Sequence, residues 1–369
     1  MDEGYGLVKH LNNNIMSKTI AMYCLALLCL WQTNAQKKGE TAFPVDRKRF
    51  DRSYLKELKK SIEENELKQI TSVIVLQSGT LVAEAYYGGT DRKSLHDTRS
   101  LTKSFTSTLL GIAIKEGHIK SLDQTLKEFY ELKDYQNYSE AKADVTLRSL
   151  LTMSSGFDGF DFDPSSIGNE ERMYPTKDWV KFALDLPMKQ FSPNDLRWQY
   201  FTAGVVLLGD ILDKHVPGGL ETFAREKLFV PLGIRTVQWQ YTPSGVVNTA
   251  GSCRLSSLDF AKYGQLYNAK GKWKDKQILT PEWIDATFTR YFELPDDLAY
   301  GYLFWNKSYT YKEVEYETFA ASGNGGNKVF VFPSIDLVVV ITSTAYNQPY
   351  MHRQADKIMT EYVLPGILK

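Results

Sequence analysis

Cysteine is scarce in this chain of 369 residues: three occur, at positions 24, 29 and 253. The first two fall inside an apolar amino-terminal run, so one thiol remains beyond it. A single cysteine closes no internal disulfide and cannot build a cysteine-based zinc site. Cys253, in Gly-Ser-Cys-Arg, reads as a small buried residue. Excess charge is missing as well. The 44 Lys and Arg residues balance 44 Asp and Glu, which leaves no electrostatic reason to expect nucleic acid as a partner. No internal repeat or long low-complexity tract is visible. The five histidines lie beside no motif that would make one a triad base. The G-x-S-x-G elbow that presents many nucleophilic serines is absent, and so is His-Glu-x-x-His metal spacing. The sequence therefore implies neither a metal nor a cofactor.

The apolar run Ile20 to Trp31 (IAMYCLALLCLW) is too short to span a bilayer comfortably. Lys9, His10 and Lys18 precede it, and Thr33-Asn34-Ala35 follow. Basic start, short apolar stretch and small residue are the order of a secretory leader. Neither Cys24 nor Cys29 follows a convincing lipobox. Residues 1–35 are expected to be a signal peptide cut after Ala35, with translation starting at Met1 or at Met16. The mature protein is then periplasmic or secreted, without stable membrane insertion.

Hydrophobic residues at 43% and aromatics at 13% are enough for a large core. Leu55, Leu58 and Ile62 recur at helical spacing within 53–66. Two β-rich runs in 71–89 flank Ser78-Gly79-Thr80 and read as a hairpin. A helix is expected over 100–117, closed by Gly117. Helical segments and loops fill 118–245. Further helices are expected at 256–269, near 281–290 and at 350–362. Residues 299–306, 313–320, 328–332 and 336–343 suit strands. Strands near both ends and helices between them define an α+β fold: an antiparallel sheet built from both termini, flanked by helices, with a mostly helical region inserted. The expected division is 36–117 with 246–369 as the sheet domain and 118–245 as the helical one.

Residues 99–107 (RSLTKSFTS) hold a serine and a lysine three positions apart. On a helix that separation is a rotation of about 300°, so Ser100 and Lys103 are neighbours on one face. A serine at a helix N-terminus has free backbone N–H groups and the positive end of the dipole beside it, and both stabilise an oxyanion. A lysine one turn on can hold the hydroxyl and help remove its proton. The same four residues also fit an ordinary serine N-cap with an exposed lysine.

Two further stretches separate those readings: YFTAGVVLLG at 200–209 and SGNGGNKVFVF at 322–332. With RSLTKS and LLTMSSG (150–156), they make the chain resemble the serine β-lactamase and penicillin-binding-protein superfamily from about 40 to 365. The likeness is greatest to class C β-lactamase-related hydrolases, which include esterases and 6-aminohexanoate-dimer hydrolases. The resemblance implies the β-lactamase/transpeptidase-like version of the α+β fold. It makes Ser100 the nucleophile, Lys103 its lysine and Tyr200 the tyrosine of the Y-x-N/S motif. It matches Asn324-Gly325-Gly326 to the Lys/His-Thr-Gly strand motif and puts the Asn327 N–H opposite that of Ser100 in an oxyanion hole. Gly325 and Gly326 then let substrate approach a strand edge, or simply form a turn. Trp198 either lines the pocket or packs.

The departures concern substrate recognition. Thr202 stands where Y-x-N has asparagine, and Asn324 stands where β-lactamases have a cationic lysine. PNDLRWQY replaces the usual Pro-Gly before the tyrosine, and the S-D-N and K-T-G of class A are absent. The expected activity is cleavage of a small-molecule ester or amide, or a peptide, through an acyl-enzyme on Ser100. Lys103 and Tyr200 would share the serine's proton. Tyr200 would protonate the leaving group and later activate water, its anion stabilised by Lys103. The rival is a β-lactamase or D-amino-acid peptidase acting on peptidoglycan peptides. The resemblance leaves the oligomeric state at monomer or weak oligomer. Pocket walls are expected from loops 157–176 and 290–298.

Overall fold

An apolar run with no polar alternation sets the centre of the molecule. Every residue of Leu337–Ser343 (LVVVITS) is buried, because helices cover the strand on both faces. The computed structural model describes residues 42–192 and 197–368. The leader segment 1–35 and part of the PNDLRWQY stretch lie outside them. Phe43–Lys369 forms one compact unit.

Eight strands make the main sheet: β1 (Ile70–Gln77), β2 (Thr80–Tyr86), β3 (Phe292–Glu293), β4 (Ala299–Tyr300), β5 (Trp305–Tyr311), β6 (Val314–Gly323), β7 (Asn327–Phe332) and β8 (Leu337–Ser343). Their order is β2-β1-β8-β7-β6-β5-β4-β3, antiparallel throughout. The amino-terminal hairpin β1–β2 thus pairs with the last strand, and the two chain ends build one sheet. That hairpin turns at Ser78 (φ 48°) and Gly79 (φ 65°), two left-handed residues whose twist matches the flanking strands.

The pleat sorts β8 between two cores. Val338 and Val340 join Ile74, Val329 and the helices α2 (Thr102–Lys115) and α4 (Ser257–Asn268) on one face. Val339 and Ile341 join Val73, Val75 and Phe330 on the other, against α1 (Arg52–Glu63) and α5 (Met351–Ile358). Helix α4 lies close on the sheet because it carries Gly264 there; a Cβ at that position would stand 2.5 Å from Val338 Cγ1. Helix α3 (Thr202–His215) is the axis of the central helical segments, its first eight residues all buried, and it shares a core with α2.

Two expected elements are divided. The 100–117 helix begins as a 3-10 turn over Arg99–Leu101 before α2 starts. The 299–306 strand breaks into β4 and β5, because Leu303 (φ 60°) turns inward and its N–H donates to the Leu151 carbonyl at 3.1 Å. Among the described residues no helix is long and apolar enough to cross a membrane.

Candidate active site

Ser100 sits in the 3-10 turn, half-buried, directly after Arg99 in a left-handed conformation (φ 52°). That turn is fixed from both sides. The Arg99 N–H donates to Asp97 Oδ1 at 3.1 Å, and the end of β6 packs on it. A Cβ on Gly323 would lie 1.8 Å from the Thr98 carbonyl oxygen and 3.0 Å from Leu101 N. Only glycine lets the strand end come this close.

At the second residue of α2, one turn after Ser100, Lys103 is 1% exposed. Its Nζ donates to the Ala250 carbonyl at 2.7 Å and to Ser100 Oγ at 3.1 Å. It also lies 5.1 Å from the centre of the Tyr200 ring. Among the described residues no carboxylate is within ion-pair distance of this Nζ, so its direct partners are the serine and a carbonyl. The Ala250 segment is itself tied to α2: Thr106 Oγ1 donates to the Thr249 carbonyl, and Cys253 N donates to Thr102 Oγ1.

Tyr200 precedes α3 and is 6% exposed. Its ring stacks on Phe162 (5.0 Å) and Trp305 (5.9 Å). Burial pushes its phenol above the ordinary tyrosine range, although the Lys103 charge and a hydrogen bond with Ser100 pull it down. The sequence-based expectation gave the Lys103 charge the larger effect; desolvation of a fully enclosed ring outweighs it.

Thr202, the first residue of α3, is held by two acids. Its N–H donates to Asp161 Oδ2 at 2.7 Å, and its hydroxyl donates to Glu170 Oε2 at 2.8 Å. Asp161 also donates its own N–H to the Tyr200 carbonyl at 2.8 Å, so it clasps the backbone on both sides of residue 201. Burial, then the neighbouring Glu170 charge, raise the Asp161 carboxyl to about 6. The loop 157–176 carrying both acids was expected as a pocket wall. It does form one, and the acids within it had no motif to mark them.

A cavity of about 370 Å³ opens over Ser100, lined also by Arg99, Glu170, Glu171, Asn248 and Asn324. The segment around Ala250 escaped the sequence reading because any residue supplies a carbonyl. The strand motif needs a shift of register. Asn324-Gly325-Gly326 is a turn rather than strand; the tripeptide that ends β6 beside Ser100 is Ala321-Ser322-Gly323. The run SGNGGN contains several small residues and no marker of which one meets the helix. Asn324 faces the cavity, its side chain bonded to Asn347. Gly325 and Gly326 turn away from it, Gly325 N toward Met351 Sδ and Gly326 against the Met351 carbonyl. Asn327 is fully buried, paired with Gly323 at the start of β7, its amide bonded to Ser343 and to the Asn324 carbonyl. It does not line the cavity. Trp198 is 8% exposed and packs among Phe160, Tyr200, Tyr300 and Trp305, away from the cavity wall. Among the described residues no turn or cap hydrogen bond takes the backbone N–H of Ser100 or of Asn324. No group of three or more His, Cys, Asp or Glu among them could hold a metal.

A serine and a buried lysine on one helix end, with a tyrosine and a sheet edge closing over them, define an active-site-serine hydrolase of the β-lactamase and penicillin-binding-protein fold. The chain belongs to the Beta-lactamase family, whose family model matches residues 64–361. It is 26% identical over 202 residues to Beta-lactamase-like protein 2 of Dictyostelium discoideum, a match spanning 50% of this chain and 35% of that protein. The chain thus aligns with about a third of that relative's length. Among solved structures it is similar to the octameric penicillin-binding protein homologue from Pyrococcus abyssi (TM-score 0.65, 21% identity, 85% of this chain and 79% of that one). It is also similar to EstCE1, a hydrolase with promiscuous acyltransferase activity (TM-score 0.67, 13% identity, 83% and 97%). At identities this low the structural likenesses speak for the fold alone.

Proposed function

We propose that this serine hydrolase is secreted and cleaves an ester or amide through an acyl-enzyme on Ser100. The observation that carries the reading is Lys103 Nζ, buried and 3.1 Å from the Oγ of Ser100, which lines the cavity. With Lys103 as the amine, Ser100 Oγ attacks the substrate carbonyl and its proton passes to Nζ. The oxyanion is held by the backbone N–H groups of Ser100 and Asn324, which lie on the cavity wall without a turn or cap partner. Tyr200 protonates the leaving group and recovers a proton from Lys103, so the ammonium never has to leave the site. Water then releases the acyl group.

Two features favour a simple ester or amide over a β-lactam. Ala321 occupies the strand position at which β-lactamases have a cation. On the facing wall Glu170 and Glu171 line the cavity, and they oppose a substrate carboxylate approaching from that side. Arg99, on the same cavity, stacks over the Tyr346 ring at 4.5 Å and lies 3.6 Å from Asp97. A panel of p-nitrophenyl esters, nitrocefin and short linear or D-amino-acid amides, with Ser100→Ala as the blank, tests the reading. Serine-dependent turnover of esters or linear amides is expected. Turnover of nitrocefin alone would return the assignment to a β-lactamase. Secretion rests on residues 1–35, and the amino-terminal sequence of the mature protein, expected to begin at Gln36, tests it.

A further inference from the structure

Acylation ends with Tyr200 protonated and Lys103 restored as the amine, but Lys103 is 1% exposed and neither residue lines the cavity through which water reaches the ester. Hydrolysis of an acyl-serine needs a group that takes a proton from water, beside the ester, after the leaving group has gone. Loop 157–176 supplies a carboxylate on the wall of that cavity. Glu170 lines the same cavity as Ser100, and its charge is felt at Tyr200. Its position is fixed at both ends. Its backbone N–H donates to Asp161 Oδ1 at 2.8 Å. One carboxylate oxygen, Oε2, accepts from Thr202 Oγ1 at 2.8 Å and from the Tyr174 hydroxyl at 2.7 Å. Among the described residues, the other oxygen, Oε1, has no hydrogen-bond partner. A carboxylate anchored through one oxygen, with the second unbonded on a residue of the cavity wall, can hold a water molecule.

The other acids do not compete. Asp161 has one oxygen bonded to Glu170 N and the other to Thr202 N, and it stands behind the cavity wall. Glu171 is exposed, and no hydrogen bond fixes its carboxylate among the described residues. The anchoring hydroxyl is also telling. Thr202 occupies the third place of the tyrosine motif, where an asparagine would offer an amide. Here a threonine turns its hydroxyl outward to hold Glu170.

We propose that Glu170 is the general base of deacylation. The inference rests on the acyl-Ser100 reading above. Water bound at Oε1 gives a proton to Glu170 as its oxygen bonds to the acyl carbon. The tetrahedral oxyanion collapses, the C–Oγ bond breaks, and Ser100 Oγ takes a proton from Tyr200. The carboxylic acid departs, and the proton on Glu170 returns to Tyr200 through solvent in the cavity. One water is consumed and every group regains its starting state.

The test uses Glu170→Gln, which keeps an oxygen able to accept from Thr202 and Tyr174 but cannot take a proton. Mixed with p-nitrophenyl acetate, the variant should release a stoichiometric burst of p-nitrophenol at the wild-type rate and then stall. Its steady-state kcat should fall roughly a hundredfold or more. Intact-mass measurement should find an acetyl group retained on Ser100, whereas the wild type shows none at steady state. Hydroxylamine, a nucleophile that needs no base, should discharge the trapped enzyme and restore turnover, which a damaged fold would not allow. Wild-type deacylation in Glu170→Gln overturns the proposal. So does a lost burst with no trapped adduct, or a failure of hydroxylamine to rescue. These results leave the serine reading standing if Ser100→Ala still abolishes the burst. A burst that survives Ser100→Ala overturns the serine reading itself.

Discussion

At the scale of single residues, the site is a set of protons held by burial. Lys103 has a serine and a carbonyl as its partners, so replacing it leaves both without a donor in a dry place. Lys103→Met and Ser100→Ala are each expected to lower kcat/KM at least about a thousandfold against an ester, since the groups act as a unit. The two should not multiply in the double variant, which steady-state kinetics would read directly. Gly323 makes a sharper structural prediction. A methyl group there meets the Thr98 carbonyl, backbone that cannot swing away. Gly323→Ala should cost about 1–3 kcal/mol or more in urea denaturation and slow the burst, because the turn carrying Ser100 must move. Unchanged acylation in that variant would show that the strand end does not position the serine.

At the scale of elements, loop 157–176 and helix α3 behave as one piece. Asp161 donates to the Tyr200 carbonyl and accepts from Thr202 N and Glu170 N. Asp161→Ala strands two backbone N–H groups, each costing about 1–3 kcal/mol when buried. A lower melting temperature together with a reduced kcat is expected. A lower melting temperature with full activity would mean that the clasp holds the fold without placing Tyr200. The sheet offers a control far from the chemistry. Ile341 in β8 is completely buried among Val73, Phe330 and the carboxy-terminal helix. Ile341→Ala should lose about 2–5 kcal/mol while the remaining folded enzyme keeps its kcat.

At the scale of the whole molecule, stability should depend on acid through buried groups of opposite sign. His96 is 7% exposed, with Nδ1 near Thr71 Oγ1 at 3.2 Å and Nε2 unpartnered. Burial lowers it from 6.5 to about 4. Between those values the unfolded chain binds the proton and the folded chain does not, so stability falls as pH drops from 6.5 toward 4. The shift is equivalent to about 3 kcal/mol. Asp161, raised from 3.8 to about 6, works the other way: the folded chain binds its proton first, so it adds stability as pH falls through 6. Urea midpoints at several pH values should therefore decline less steeply in His96→Phe than in the wild type. An identical slope would remove His96 as the acid-sensitive group.

The sequence by itself determined most of the elements and the serine–lysine pair on one helix face. Helical and two-residue periods are written in side-chain polarity, so α1, the β1–β2 hairpin and β6 to β8 were legible within a few residues. Ser100 and Lys103 were legible because a helix turn is local geometry. Tertiary structure alone decided the register of SGNGGN against the helix, since small residues look alike until one of them must fit beneath a carbonyl. It also decided the sign of the Tyr200 shift, which is a contest between burial and charge that no linear motif records. Asp161, Glu170 and Ala250 enter the site from distant segments. What brings them there is the packing of loop 157–176 on α3 and of the 248–253 segment on α2, and that packing is a property of the folded chain.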